Sequence, residues 1–180
     1  MKKVHENRRI ASNVQRAKTR QLVNQIKNSP CIDCGLLYEP VCMDFDHLDT
    51  TTRYCMEFSQ LRGSTNKILE EIKKCELVCS NCHRVRTYER KMKNKKELYE
   101  KPYIDRNRQL LRKIKNVPCL DCSKIFHFSA MDFDHIENNK IRNVATMITI
   151  KQSRLLEEIA KCEIICSNCH RIRTKSRQSA

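Results

Sequence analysis

The sequence predicts a small α+β protein: two similar modules in tandem, each held closed by cysteines rather than by a large apolar core. Three observations carry that prediction. The 180-residue chain is internally duplicated, and self-similarity at a near-constant offset decides an architecture before any local signal does. "KNSPCIDCG" at Lys27–Gly35 returns as "KNVPCLDCS" at Lys115–Ser123, and "MDFDH" stands at both Met43–His47 and Met131–His135. "ILEEIKKCELVCSNCHRVRT" at Ile68–Thr87 returns as "LLEEIAKCEIICSNCHRIRT" at Leu155–Thr174, with 15 of 20 positions identical. Eight of the 12 cysteines fall in four C-x-x-C pairs, two per copy. Only 39% of residues are hydrophobic and tryptophan is absent, so a unit of roughly 80 residues buries too little surface to stand on its core alone.

Each copy reads in the same order. A basic amphipathic stretch comes first (Gln15–Lys27; Arg106–Lys115), with Leu22, Val23 and Ile26 at helical spacing. Pro30 or Pro118 ends that helix and opens a cysteine knuckle. "VCMDFDH" then alternates Val41, Met43 and Phe45 with Cys42, Asp44 and Asp46, the period of a strand. The copies are offset by 88 residues up to MDFDH and by 87 afterwards, so a one-residue deletion falls between Leu48–Lys67 and Ile136–Arg154. Those segments hardly match, which predicts a surface loop. A short helix over about Asn66–Lys74 follows, with Ser64 or Thr65 as its N-cap. A short strand, "ELV" or "EII", leads into the second cysteine pair, and a basic helix runs from His83 to Glu100. Lys101-Pro102 is a break. These signals divide the chain into a basic N-terminal helical segment (1–29), a first module (30–100) and a second (101–180), whose short tail after Thr174 is expected to fray.

Lysine and arginine number 36 against 21 aspartates and glutamates, a formal charge of +15. Such an excess points to a polyanionic partner, most commonly nucleic acid, with an ordinary basic surface as the alternative. The N-terminus has no apolar stretch that could serve as a signal peptide, and no run approaches the ~18 apolar residues of a membrane span. The expectation is an intracellular, reducing setting with no membrane partner, where paired cysteines are metal ligands rather than disulfides. Cys31, Cys34, Cys79 and Cys82 form one set, and Cys119, Cys122, Cys166 and Cys169 the other. Four thiolates so spaced close tetrahedrally around zinc, so two structural zinc ions are expected. The pairs are 44 residues apart in the first copy and 43 in the second, so each zinc ties off an inserted element that contains MDFDH. A redox-dithiol reading lacks the βαβ setting it needs. The P-C-x-x-C of zinc deaminases needs an H-x-E upstream, and His5, His47 and His83, which precede one or both knuckles, are followed two places on by Asn7, Asp49 and Val85. Cys75 and Cys162 recur four places before a pair and read as packing groups, with ligand exchange as the alternative. Cys42 and Cys55 have no counterpart and receive no role.

Asp46 and His47 are sequential on a strand, so their side chains leave from opposite faces unless the strand end bends. His83 directly follows Cys82, so a zinc frame would fix its backbone. Asp46 and His83 could hold a divalent cation, Mg2+ or Mn2+, that polarises a phosphate, with His47 as general base. Asp134, His170 and His135 repeat the kit. The plainer alternative is surface acids beside satisfied histidines.

"CIDC…MDFDH…CSNCHR" and "CLDC…MDFDH…CSNCHR" resemble the HNH endonucleases, the ββα-metal or His-Me finger group, in the zinc-bound form similar to recombination endonuclease VII. The resemblance covers about Pro30–Thr87 and Pro118–Thr174. It implies two tandem zinc-stabilised ββα-metal modules with flanking helices. It also implies His47 and His135 as bases, and Asp46 with His83 and Asp134 with His170 as catalytic-metal ligands. One departure is the family's middle Asn, which braces the hairpin bearing the base. "KKCELVC" and "AKCEIIC" contain none, and Asn81 and Asn168 inside the knuckles are not obviously equivalent.

Arg84, Arg86, Arg171 and Arg173, beside the expected metal, are candidates to grip flanking phosphates. The expected function is metal-dependent hydrolysis of DNA, double-stranded or branched, by two centres in a monomeric pseudo-dimer. The alternatives are a non-catalytic zinc module that binds nucleic acid, and a chain with one live and one structural copy.

Overall fold

The computed structural model describes residues 2–49, 64–94, 101–137 and 139–179. Most of the variable loop of the first copy, Cys55 and the 95–100 end of the expected basic helix lie outside the described residues. The chain is a small α+β protein with two compact units, Met1–Cys79 and Ser80–Ala180. Helix α3, which the repeat assigns to the first copy, packs within the second unit.

In the first unit, α1 (Lys2–Lys27) leads through the cysteine knuckle and a 3-10 turn (Pro40–Cys42) to β1 (Met43–His47). Helix α2 (Thr65–Ile72) and β2 (Cys75–Cys79) follow. Ser64 caps α2, its side chain accepting from the Lys67 amide. Strands β1 and β2 pair antiparallel, Met43 opposite Cys79 and His47 opposite Cys75. Val41 and Cys42 fall in a 3-10 turn, which the second copy repeats at Phe128–Ala130 without a proline. Val23 of α1, Phe45 of β1 and Ile68 of α2 form the core, closed by Ile26, Ile72, Cys75 and Leu77. Thr19 and Thr65 hydroxyls meet at 2.8 Å and tie α1 to α2.

The second unit repeats this plan with α4 (Pro102–Ile114), β3 (Met131–His135), α5 (Gln152–Ile159), β4 (Cys162–Cys166) and α6 (Ser167–Ser179), and includes α3 (Ser80–Lys93). Strands β3 and β4 pair with Met131 opposite Cys166 and His135 opposite Cys162. The segment expected as loop contains a 3-10 turn, Val144–Thr149. Val144 and Met147, three apart, eclipse on one face of such a turn and pack into the core with Leu111 and Leu155. Asn107 of α4 donates to the carbonyls of Ile148 (2.9 Å) and Ile150 (3.0 Å), filling the place of Thr19. The tail expected to fray is helical to Ser179, held by Arg173 and Arg177 of α6 bonding to Asp134.

Helices α3 and α6 meet reciprocally. Ser80 and Ser167 hydroxyls are 2.7 Å apart, the Asn81 amide donates to Asn168 Oδ1 (3.3 Å), and the Asn168 amide donates to Asn81 Oδ1 (3.1 Å). Such an exchange, i to j and j to i, is the signature of an isologous contact. Tyr88 of α3 stacks edge-on to Phe128 at 5.0 Å, with the Arg112 guanidinium 5.1 Å from the Phe128 centroid.

The fifth residue of each knuckle turns left-handed: Gly35 at φ 70° and Ser123 at φ 56°. A Cβ at Gly35 would meet nothing within 4 Å, so the cost of a side chain there lies in the backbone. Ser123→Gly is expected to raise stability by about 1 kcal/mol and Gly35→Ser to lower it by about as much, measured by urea unfolding of zinc-loaded protein.

Candidate functional site

The cysteine pairs converge. Cys31, Cys34, Cys79 and Cys82 place their sulfurs within 4.8 Å of one another, as do Cys119, Cys122, Cys166 and Cys169. Thiolates about 2.3 Å from one zinc would stand about 3.8 Å apart, so both sets suit a metal ion each, consistent with structural zinc. The knuckle backbone builds this locally. Cys31 N–H donates to Leu36 O and Gly35 N–H to Cys31 O, and Cys119, Lys124 and Ser123 repeat the pattern. The Cys79 amide donates to Cys31 Sγ at 3.2 Å and the Cys166 amide to Cys119 Sγ at 3.1 Å. Burial alone would raise these two thiols, but the converging amides hold Cys31 and Cys119 below the ordinary value. Cys75 and Cys162 lie outside both clusters. Their thiols donate to the Glu71 and Glu158 carbonyls, and burial, with the neighbouring glutamate charge, pushes each up to about 11. They are neutral packing groups. The chain's H-x-E, His135-Ile136-Glu137, follows both P-C-x-x-C pairs, the reverse of the deaminase order.

Strand alternation sorts the remaining chemistry. Asp132 and Asp134 share one face of β3, toward α6, while His135 leaves from the other, toward α5. His135 Nε2 lies 2.9 Å from Glu158 Oε1, and in the first unit His47 Nε2 lies 2.7 Å from Glu71 Oε1. Glu71 and Glu158 are buried, and each also holds a lysine ammonium at 2.8 Å, Lys74 or Lys161. The Lys161 bond, against the opposing effect of burial and with help from the Ile141 amide and His135, brings Glu158 down to about 2. Glutamates of α2 and α5 thus hold the His47 and His135 rings. Asn81 and Asn168 join α3 to α6 instead.

His170, in the first turn of α6, turns toward the acidic face: Nδ1 lies 3.0 Å from Asp132 Oδ2, and Nε2 lies 3.5 Å from Asp134 Oδ1. Asp134 is buried and accepts both guanidinium nitrogens of Arg177 at 2.8 Å and Arg173 Nη1 at 3.0 Å. Burial would raise Asp134, but Arg177, Arg173 and His170 hold it below the usual carboxylate range. Asp132 is held low in the same way by His170 and Arg84. Arg173 also bonds Asp121 and Glu163, so it serves here as a counter-ion within the protein.

Asp132, Asp134, His135 and His170 line one cavity of about 450 Å³. Arg84, Lys115, Lys140 and Arg177 line the same cavity. The Lys115 ammonium stands 5.1 Å from the Phe133 centroid, and Lys27 stands 5.6 Å from that of Phe45. Burial holds Lys115 below the ordinary lysine value despite the charge of Asp132. In the first unit Asp46 and His47 are buried at the end of β1. His83 and Arg86 are half-buried on α3, and Arg171 is half-buried on α6. Sequence reasoning passed over Glu71, Glu158, Asp44, Asp132, Lys27, Lys115 and Arg177. The available signal was their recurrence, with Arg90 the counterpart of Arg177, and the helical phase that sets Glu71 three residues from buried Ile68.

Comparison with protein-family models, curated proteins and solved structures gives no match. No helix among the described residues is long and apolar enough to cross a membrane.

Metal analysis of the purified chain is expected to give two zinc equivalents. Cys31→Ser and Cys119→Ser should each remove one equivalent, whereas Cys75→Ser and Cys162→Ser should retain both.

Proposed function

We propose that this chain is a divalent-cation-dependent DNA endonuclease with two HNH-like (ββα-metal) centres. The observation that carries this reading is the cleft of the second unit, where the Asp, the His of the Asp-His step and the trailing His line one cavity with four basic side chains. Two ligand atoms each about 2.1 Å from one ion stand about 3.0 Å apart at the octahedral angle. His170 Nε2 and Asp134 Oδ1 stand 3.5 Å apart, wider than that, and would close on an ion by a small side-chain shift. Arg177 shares that carboxylate oxygen at 2.8 Å, so Arg177 and a cation are alternatives there. Arg177 is half exposed on the last turns of α6.

A divalent ion bound by Asp134 and His170 would supply Lewis-acid polarisation of the phosphate and stabilise charge on the departing oxygen. His135 donates Nε2–H to Glu158, which leaves its Nδ1 lone pair to take a proton from the attacking water. Water adds to phosphorus, one P–O bond breaks, and the released oxygen takes up a proton. Arg84, Lys115 and Lys140 hold phosphate oxygens, with Arg171 and Arg86 candidates for flanking phosphates. Asp46, His47 and His83 take the same parts in the first copy. The net charge of +15 suits sequence-tolerant backbone binding, double-stranded or branched DNA alike. The reciprocal α3–α6 contact supports a covalent pseudo-dimer.

A second reading is a non-catalytic zinc module that binds nucleic acid. The double arginine bonding of Asp134 favours it, since a carboxylate so satisfied resembles a structural ion-pair network.

Wild type is expected to nick supercoiled plasmid with Mg2+ or Mn2+, and His47→Ala/His135→Ala is expected to lose 10²-fold or more of that rate while still retarding DNA. Equal cutting by both proteins, or none by either with binding intact, would place the chain in the binding class.

A further inference from the structure

We infer that Asp132 is a positioning residue for metal binding: it fixes the tautomer and orientation of His170 so that Nε2 faces Asp134 with its lone pair available. This rests on the reading that His170 and Asp134 share a cation. The geometry is one-sided. Asp132 Oδ2 is within hydrogen-bond distance of His170 Nδ1, at 3.0 Å, whereas the Nε2 contact to Asp134 is 3.5 Å. A neutral imidazole carries one proton, and the shorter, in-range contact takes it. Nδ1–H then donates to Asp132, and Nε2 is left as the ligand atom. A carboxylate behind a metal-binding histidine sets the ring's orientation and raises its basicity.

The strand explains why Asp132 is available for this. Residues two apart on β3 point to the same side, so Asp132 and Asp134 both reach the first turn of α6, where His170 sits. Asp132 meets one ring nitrogen and Asp134 faces the other. The rest of Asp132 is satisfied: its other oxygen takes Arg84 of α3, and it is only 13% exposed. That leaves Asp132 a fixed support rather than a mobile ligand. Asp44 holds the same register position on β1, opposite Val78 as Asp132 is opposite Ile165.

The test measures Mn2+ binding to zinc-loaded full-length protein by electron paramagnetic resonance, with wild type, His170→Ala, Asp132→Asn, Asp132→Glu and Arg154→Gln. Zinc content and circular dichroism verify folding. Asp132→Asn is expected to weaken the His170-dependent Mn2+ site 10–100-fold, Asp132→Glu to recover part of the loss, and Arg154→Gln, at an exposed position of α5 outside the cleft, to leave affinity within about twofold. If wild type binds Mn2+ no better than His170→Ala, the cation reading itself fails. A His170-dependent site unchanged by Asp132→Asn, or weakened as much by Arg154→Gln, would overturn the role of Asp132 while leaving the cation reading intact. Nitrogen-15 NMR of wild type, without Mn2+ and at a pH where the ring is neutral, needs no variant to fold. It should show His170 protonated at Nδ1, and a predominantly Nε2-protonated ring would contradict the inference.

Discussion

Four sulfurs gathered within 4.8 Å impose the geometry on which the rest of each copy depends. Two come from the knuckle after the first helix. The other two straddle a strand end and the first turn of the following helix, Cys79 and Cys82 or Cys166 and Cys169. A cluster so placed pins the loop against the strand–helix junction. The junction carries the trailing histidine one residue beyond the last sulfur, so the imidazole inherits its position from the thiolates. Converging amides hold Cys31 and Cys119 low, whereas burial and the neighbouring sulfurs push Cys122 and Cys169 up. Without that clamp, an 8-residue helix and two 5-residue strands bury too little to hold a histidine over an acidic strand.

The clamp makes room for buried charge, and buried charge then demands partners. Asp134 and Glu158 are nearly inaccessible carboxylates, and a lone ion there would be strongly destabilising. Each is met from a different side of β3. Asp134 takes Arg177 and Arg173 from α6, and Glu158 takes Lys161 and His135. Because Glu158 is depressed from its ordinary 4.5 to about 2, its contribution to stability is fully present above about pH 4.5. That contribution is lost as pH falls through 2. The same bonds stop the His135 ring from turning, so the electrostatics that steady the fold also orient the proposed base.

The sequence made the repeat, the four cysteine pairs and the MDFDH strands legible, because duplication and C-x-x-C spacing are local signals. The strand opening was misplaced at Val41 and Cys42 because a 3-10 turn precedes the strand in both copies, Pro40–Cys42 and Phe128–Ala130, while the alternating apolar pattern by itself reads as ladder. The Val144–Thr149 turn was missed because the two copies diverge there, and the apolar pair at Val144 and Met147 has the period of a 3-10 turn rather than an α-helix. Glu71 and Glu158 were the larger omission. A glutamate in "LEEI" looks like a solvated helix face, and only the tertiary approach of His47 or His135 makes one of the two acids buried and the other exposed.

Period-two alternation on β3 also explains why the cleft forms where it does. Asp134 and His135 must face opposite ways along a regular strand, yet one cavity is lined by both. The sheet has two strands, so a cavity along the free edge of β3 meets both faces, Asp132 and Asp134 from one and Phe133 and His135 from the other. The Asp-His order at the last two ladder positions is therefore the arrangement that lets one short strand serve two helices. It presents a carboxylate to the arginines and trailing histidine on one side, and an imidazole to a buried glutamate on the other.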